Sequence, residues 1–235
     1  MLKQISLNSN WYFRASDSDH WFPAGVPGCV HTDLLKNEQI EDPFYRTNEV
    51  DLQWIEQKDW VYETRFHVSI GIFNEEHIEL VFEGLDTFAD VYLNDELILS
   101  ADNMHRTWRI PVQGILRIRE NHLKIFFHSA FNKGLELKKE APIPFFQFSN
   151  NDQADEKIST LVRKAGYHFG WDWGPRFVTS GIWRDVKLET WSHCRLEGVQ
   201  IITKTIGPDK AIMSANIDIL SEQTIQTAGF SLKFD

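Results

Sequence analysis

From residue 60 to residue 68 the chain alternates: Trp60, Tyr62, Thr64, Phe66 and Val68 take the even positions, and Val61, Glu63, Arg65 and His67 the odd ones. A period of two sends successive side chains to opposite faces, so the segment predicts an antiparallel strand with one face on a core. The pattern recurs at 78–82, 89–93 and 123–127, and again at 181–191, where Ile182, Arg184, Val186 and Leu188 alternate with Trp183, Asp185 and Lys187. Gly84-Leu85-Asp86 reads as a turn, and Asn94-Asp95 as a hairpin turn with 96–100 as its return strand. Helical signal is scarce. Residues 31–36 predict one or two turns with Thr32 as cap, and 152–164 carry Ile158, Leu161 and Val162 at helical spacing. Residues 134–151, first charged and then rich in Pro and Phe, predict a long surface insertion, and such loops are more often functional than idle.

After Trp191 three short strands are predicted, 196–203, 211–220 and 228–234, the first two separated by a Gly207-Pro208-Asp209 turn. An immunoglobulin-like sandwich needs about seven. The chain stops at Asp235 inside a predicted strand, so the expectation is a piece of a longer protein, cut within its second domain.

Composition excludes several classes. With 24 Lys+Arg against 34 Asp+Glu the net charge is −10, which opposes non-specific nucleic-acid binding. No apolar run approaches the ~20 residues of a membrane span. The N-terminus carries no signal-peptide core and the chain no Asn-X-Ser/Thr sequon. Cys29 and Cys194 stand far apart, which predicts two free thiols in a reducing cytoplasm. The nine His show no His-Glu-X-X-His or other ligand spacing, and no phosphate loop or dinucleotide fingerprint occurs, so neither a metal nor a cofactor is expected. Aromatics make up 13% of the residues, with 9 Trp and 17 Phe. They suit a sandwich core, and they equally suit a sugar site, where flat rings stack on the C–H faces of pyranoses.

The densest chemistry lies in residues 163–176, where Trp171-Asp172-Trp173 is flanked by Gly170 and Gly174 and bracketed by Arg163 and Arg176. A carboxylate can accept two hydroxyl hydrogen bonds from one sugar ring while indole supplies a stacking face. The same residues also fit a buried bridge from Asp172 to Arg163 or Arg176 with both Trp in the core. Cys29, in Val26-Pro27-Gly28-Cys29-Val30-His31, has no base partner and is read as structural.

Read in order, Val26-Pro-Gly-Cys-Val-His-Thr-Asp-Leu-Leu35, Asp42-Pro-Phe-Tyr45, Leu52-Gln-Trp-Ile-Glu56, Phe82-Glu-Gly-Leu-Asp-Thr-Phe-Ala-Asp-Val-Tyr-Leu-Asn94, Ala101-Asp-Asn-Met104, Tyr167-His-Phe-Gly-Trp-Asp-Trp-Gly-Pro-Arg176 and Ser180-Gly-Ile-Trp-Arg184 resemble the N-terminal region of a β-mannosidase of glycoside hydrolase family 2. The Gly-Leu-Asp-Thr and Ser-Gly-Ile-Trp-Arg segments are shared with β-galactosidases and β-glucuronidases. The Phe-Gly-Trp-Asp-Trp-Gly-Pro-Arg segment points to mannosidase.

The resemblance implies an all-β chain: a jelly-roll (galactose-binding-like) sandwich over 1–192, then the first strands of a truncated immunoglobulin-like domain over 193–235. It also implies a catalytic (β/α)8 barrel elsewhere in the polypeptide, holding both catalytic glutamates, so no catalytic residue is expected here. Asp172 then accepts from sugar hydroxyls and Trp171 lies against the ring, with Trp173 either beside them or packed. Asn48, Glu49 and Trp54 fall in a loop that could face the same cleft. The implied partners are a β-mannoside and the barrel of the same polypeptide, with a homodimer through exposed strand edges as a further expectation. Other readings are a different family 2 exo-glycosidase, a stand-alone carbohydrate-binding module and a structural interaction domain.

Overall fold

Alternation does produce strands. A computed structural model describes residues 2–141, 152–221 and 229. Its strands, in chain order, are β1 (Lys3–Ser6), β2 (Trp11–Ala15), β3 (Phe22–Ala24), β4 (Trp60–Val68), β5 (His77–Phe82), β6 (Phe88–Leu93), β7 (Glu96–Asp102), β8 (Trp108–Pro111), β9 (Arg119–His128), β10 (Val186–Trp191), β11 (Cys194–Ile206) and β12 (Ala211–Ser221). One sheet runs β1-β10-β5-β8, a second β3-β2-β4-β9-β6-β7, and β11-β12 stand as a hairpin; every pairing is antiparallel. The two larger sheets face each other across one core, a β-sandwich. Ile78, Leu80, Phe82, Val186 and Leu188 enter it from one side, and Phe13, Tyr62, Val91, Ile125 and Phe127 from the other.

Register keeps that division consistent. Trp60, Tyr62 and Thr64 pair with Phe127, Ile125 and Leu123, so the buried sets of β4 and β9 lie side by side. Asn94 and Asp95 take φ of 53° and 73° between β6 and β7, the left-handed pair a two-residue hairpin turn requires. A second, smaller core of Ala130, Ile158, Val162, Phe169 and Val178 lies under the connections at one end of the sandwich. These connections carry the candidate site.

Four local expectations need correction. The first helix is Val30–Lys36, and its N-cap is Cys29; Thr32 sits at the third position, where its Oγ1 accepts from Cys29 N at 3.2 Å and donates to Cys29 O at 2.7 Å. Residues 152–164 are not helical, because the Asp152 carboxylate takes the backbone N–H groups of Ala154, Ile158 and Ser159 and wraps the chain around itself. The expected insertion begins as a helix, Ala130–Glu140, capped by Ser129, whose Oγ accepts from Asn132 N at 3.0 Å. Gly134 obscured that helix in the sequence, yet glycine is there for room: a Cβ would meet Ile158 Cδ1 at 2.4 Å. The rest of the expected insertion, from 142 to 151, lies outside the described residues, as does the third expected strand apart from residue 229. Finally, β10 starts at Val186 rather than 181, since Gly181 bridges Asp86 and Trp183 turns its Nε1 to Met104 O at 3.0 Å.

The hairpin is rooted through buried Arg195, which pairs with Glu79 of β5 and lies 5.1 Å above the Trp191 ring. Beyond that root Leu196, Val199, Ile201, Ile206, Ile212 and Met213 are exposed. Core and hairpin therefore respond differently to truncation. Phe127→Ala lowers unfolding stability by about 3–5 kcal/mol in a urea titration, whereas Ile206→Ala, at a side chain 78% exposed, stays within about 0.5 kcal/mol.

Candidate functional site

The site is assembled on buried charges. Asp86 follows β5 and Lys164 precedes the short 3-10 turn Gly166–Phe169. Their side chains are 2% and 0% exposed, and Lys164 Nζ donates to both Asp86 carboxylate oxygens at 2.5 Å. Lys164 also donates to Thr179 O (2.9 Å) and Oγ1 (3.0 Å), while Thr179 Oγ1 donates to Asp86 Oδ2 at 2.6 Å. Burial alone would raise Asp86, but the adjacent ammonium outweighs it and holds the carboxyl below its ordinary value. Burial lowers Lys164, with Asp86 opposing. His168 and His31 complete the group. Burial, and next the Lys164 charge, lower each to about 4, so both are neutral near pH 7.

A second anchor holds the far end of the same loop. Buried Arg176 pairs with buried Glu56 and donates to Gln53 Oε1 at 2.6 Å; its backbone N donates to Glu49 Oε1 at 2.5 Å. Between the anchors the chain doubles back on itself. Trp171 N donates to Gly174 O at 3.2 Å and Gly174 N returns to Trp171 O at 3.4 Å. Gly170 enters this turn at φ 95°, and a Cβ there would meet Gln153 at 2.6 Å.

The turn presents three of the expected residues outward. Trp171 is half-buried, Trp173 is 78% exposed, and their ring centroids lie 4.7 Å apart at 48°. Asp172 is exposed and makes no hydrogen bond to any described residue. The bridge to Arg163 or Arg176 does not form, since Arg176 is committed to Glu56 and Gln53. Glu49 borders the hollow that Asp172 lines, but its carboxylate secures Arg176 N. Asn48 lies off that hollow and donates to Asp42 O at 2.9 Å. Trp54 also lies off it, its ring 6.2 Å from Trp60.

Two adjoining hollows share a wall of Phe44, Trp171, Trp173, Gly174 and Pro175. The one that Asp172 lines measures about 360 Å³ and also takes in Arg46, Glu49 and Gln153. The other measures about 480 Å³ and is closed by Tyr167, His168, Phe177 and Thr179. Both sizes fall in the range of small-ligand sites, and an aromatic wall with a few fixed polar groups suits a flat, hydroxylated ring. The sequence reading missed the Asp86–Lys164–Thr179–His168 group. Its members are ordinary polar residues in sequence, and Asp86 and Lys164 stand 78 positions apart. No group of three or more His, Cys, Asp or Glu among the described residues is placed to hold a metal ion, and no described helix is long and apolar enough to cross a membrane.

Residues 11–184 match the family described as glycosyl hydrolase 2 galactose-binding domain-like. The chain belongs to that family. Beta-mannosidase B of Neosartorya fischeri is 41% identical over 196 residues, which cover 81% of this chain and 23% of that protein. The chain thus spans about a quarter of the length of the curated relatives it matches. Among solved structures, the β-D-mannosidase of Dictyoglomus thermophilum superposes with a TM-score of 0.88 at 38% identity, covering 95% of this chain and 27% of that one. The exo-chitosanase CsxA of Amycolatopsis orientalis superposes at 0.66 with 17% identity, a likeness of fold.

The two anchors and the exposed turn separate on stability. Arg176→Met strands the buried Glu56 carboxylate and lowers stability by about 3–5 kcal/mol. Asp172→Ala, by contrast, changes it by less than about 0.5 kcal/mol, and both effects are read by thermal melting of the chain. The pH profile adds a second check. His31 and His168 titrate near 4 in the fold against 6.5 ordinarily, so the unfolded chain binds more protons in that window and stability rises with pH across it, by on the order of 3 kcal/mol for each histidine. Asp33 works against this rise: burial lifts it to about 6, despite hydrogen bonds from Gly25 N and Tyr62 Oη, so the fold holds its proton between about 4 and 6 and loses stability as that proton leaves. Denaturation between pH 4 and 6.5 therefore gives a rise that His31→Phe flattens and Asp33→Asn steepens.

Proposed function

We propose that this chain is the N-terminal, substrate-recognition portion of a retaining exo-β-mannosidase that removes terminal β-linked mannose from oligosaccharides or glycoconjugates. The supporting observation is the outward turn: a carboxylate with no partner among the described residues, set between two indoles and held by buried bonds at both ends, in a chain about 40% identical to β-mannosidases. Asp172 accepts from ring hydroxyls, Trp171 stacks on the ring, and Trp173 forms the outer wall. Glu49 acts by fixing the turn.

In this reading residues 1–192 are the jelly-roll domain and 193–235 the first strands of an immunoglobulin-like domain, whose apolar hairpin face is covered by further strands. Both catalytic carboxyl groups belong to a (β/α)8 barrel beyond this chain, placed against the outward turn. One protonates the leaving oxygen and the other attacks the anomeric carbon, the two carboxyl groups standing ~5–5.5 Å apart as retention requires. The chain recognises the sugar, and its binding energy orients and distorts the ring for that attack. Alone it turns over no nitrophenyl β-mannoside. The free thiols fit a cytoplasmic setting, and the open hairpin edge fits a homodimer.

The decisive experiment is Asp172→Ala in the polypeptide that joins this chain to its barrel. Each charged hydrogen bond lost costs about 1.5–3 kcal/mol, so kcat/KM for nitrophenyl β-mannoside falls about 10- to 150-fold or more, with the melting temperature unchanged. Near-normal kcat/KM in a fully folded variant rejects the ligand role, and a preference of the parent enzyme for β-galactoside or β-glucuronide rejects the mannoside.

A further inference from the structure

The buried Asp86–Lys164 pair reaches the aromatic hollow through one histidine. Thr179 Oγ1 has one proton and two lone pairs. Its proton goes to the Asp86 carboxylate at 2.6 Å, and one lone pair accepts from Lys164 Nζ at 3.0 Å. His168 Nδ1 lies 2.9 Å from the same oxygen, facing the lone pair that remains. This contact is a hydrogen bond only when Nδ1 carries the proton. Phe177 O, a pure acceptor, lies 3.3 Å from Nδ1 and imposes the same requirement. The ring is neutral near pH 7 because burial and then the Lys164 charge lower it to about 4. A neutral imidazole protonated at Nδ1 leaves Nε2 as a bare acceptor, and this Nε2 bonds to none of the described residues.

The hollow that His168 borders is walled by Phe44, Tyr167, Trp171, Trp173 and Phe177, and among the described residues no lysine, arginine or carboxylate lines it. His168 also borders a smaller cleft of about 260 Å³ against Trp183, which Asp86 lines. Only the aromatic hollow shares its wall with the Asp172 side of the turn. Its chemistry is that of a neutral ring that stacks and donates one hydroxyl hydrogen.

We propose that His168 Nε2 accepts a hydrogen bond from a hydroxyl of a neutral sugar ring seated in this hollow, and that the Asp86–Lys164–Thr179 network holds the imidazole in the accepting tautomer. The assignment rests on the carbohydrate reading above and adds to it a second polar contact across the Trp171–Trp173 wall from Asp172.

The test is nitrogen NMR of the histidine rings in the 235-residue chain, with methyl β-mannoside as the probe. In the free chain at pH 7, His168 carries its proton on Nδ1; a proton on Nε2 overturns the proposal. On titration, the His168 Nε2 and Trp171 indole resonances move along one saturation curve. Movement at Trp171 with Nε2 silent overturns the role of His168 and leaves the carbohydrate reading standing. No movement at either overturns both. Two variants at the position separate acceptance from packing: His168→Gln, which keeps an acceptor oxygen, binds more tightly than His168→Leu, which loses about three- to tenfold in affinity. Equal affinities in two folded variants overturn the hydrogen bond. Thr179→Val removes the shorter of the two contacts at Nδ1 and leaves only the 3.3 Å one to Phe177 O, so the population protonated at Nε2 rises; an unchanged tautomer balance in that variant overturns the claim that the network sets it.

Discussion

A lysine and an aspartate fully withdrawn from water can persist only as a pair. Desolvating either one alone costs several kcal/mol, and breaking such a pair strands a charge that the fold cannot rehydrate. Asp86 and Lys164 therefore dictate where three segments meet: the exit of β5, the approach to the Gly166–Phe169 turn, and the stretch around Thr179 that leads to β10. The backbone enforces the same meeting point. Asp86 and Gly181 exchange N–H···O bonds at 2.9 and 3.0 Å, and a side chain on Gly181 would strike Cys29 Cα at 2.8 Å. The first helix is thereby packed against this junction as well.

Function follows from how the charges are shared out. Glu56 takes Arg176, Glu49 takes the Arg176 amide, and Asp152 takes the amides of its own loop. The one acidic side chain between the two tryptophans is left without a partner among the described residues, on a turn whose ends cannot move without breaking buried bonds. A rigidly held acceptor beside a stacking surface suits the proposed binding of a hydroxylated ring, since neither group has to order itself first. The sandwich beneath supplies the rigidity, through a core that both sheets fill in register.

The sandwich itself was legible because a period of two is a local property: Trp60–Val68 emerges with the bounds its alternation predicts. The Trp-Asp-Trp turn was legible because it too is local, three contiguous positions between two glycines. What escaped were long-range pairings. Nothing near Lys164 announces Asp86, and nothing near Arg176 announces Glu56, so that arginine stood equally as a partner for Asp172. Residues 152–164 misled because a helical spacing of apolar groups was overridden by one carboxylate that captures the local amides. The helix Ala130–Glu140 was hidden by a glycine whose purpose is clearance for Ile158.

The account's central claim is that the outward turn is a preformed sugar-recognition surface. A crystal structure of the polypeptide joining this chain to the proposed barrel, soaked with a β-mannoside, tests it most directly. The account predicts a mannose ring against Trp171 with its hydroxyls within hydrogen-bonding distance of the Asp172 carboxylate, and residues 164–176 unmoved from their positions here. A ring seated without contact to Asp172 or Trp171, or a turn rebuilt around it, would contradict the claim.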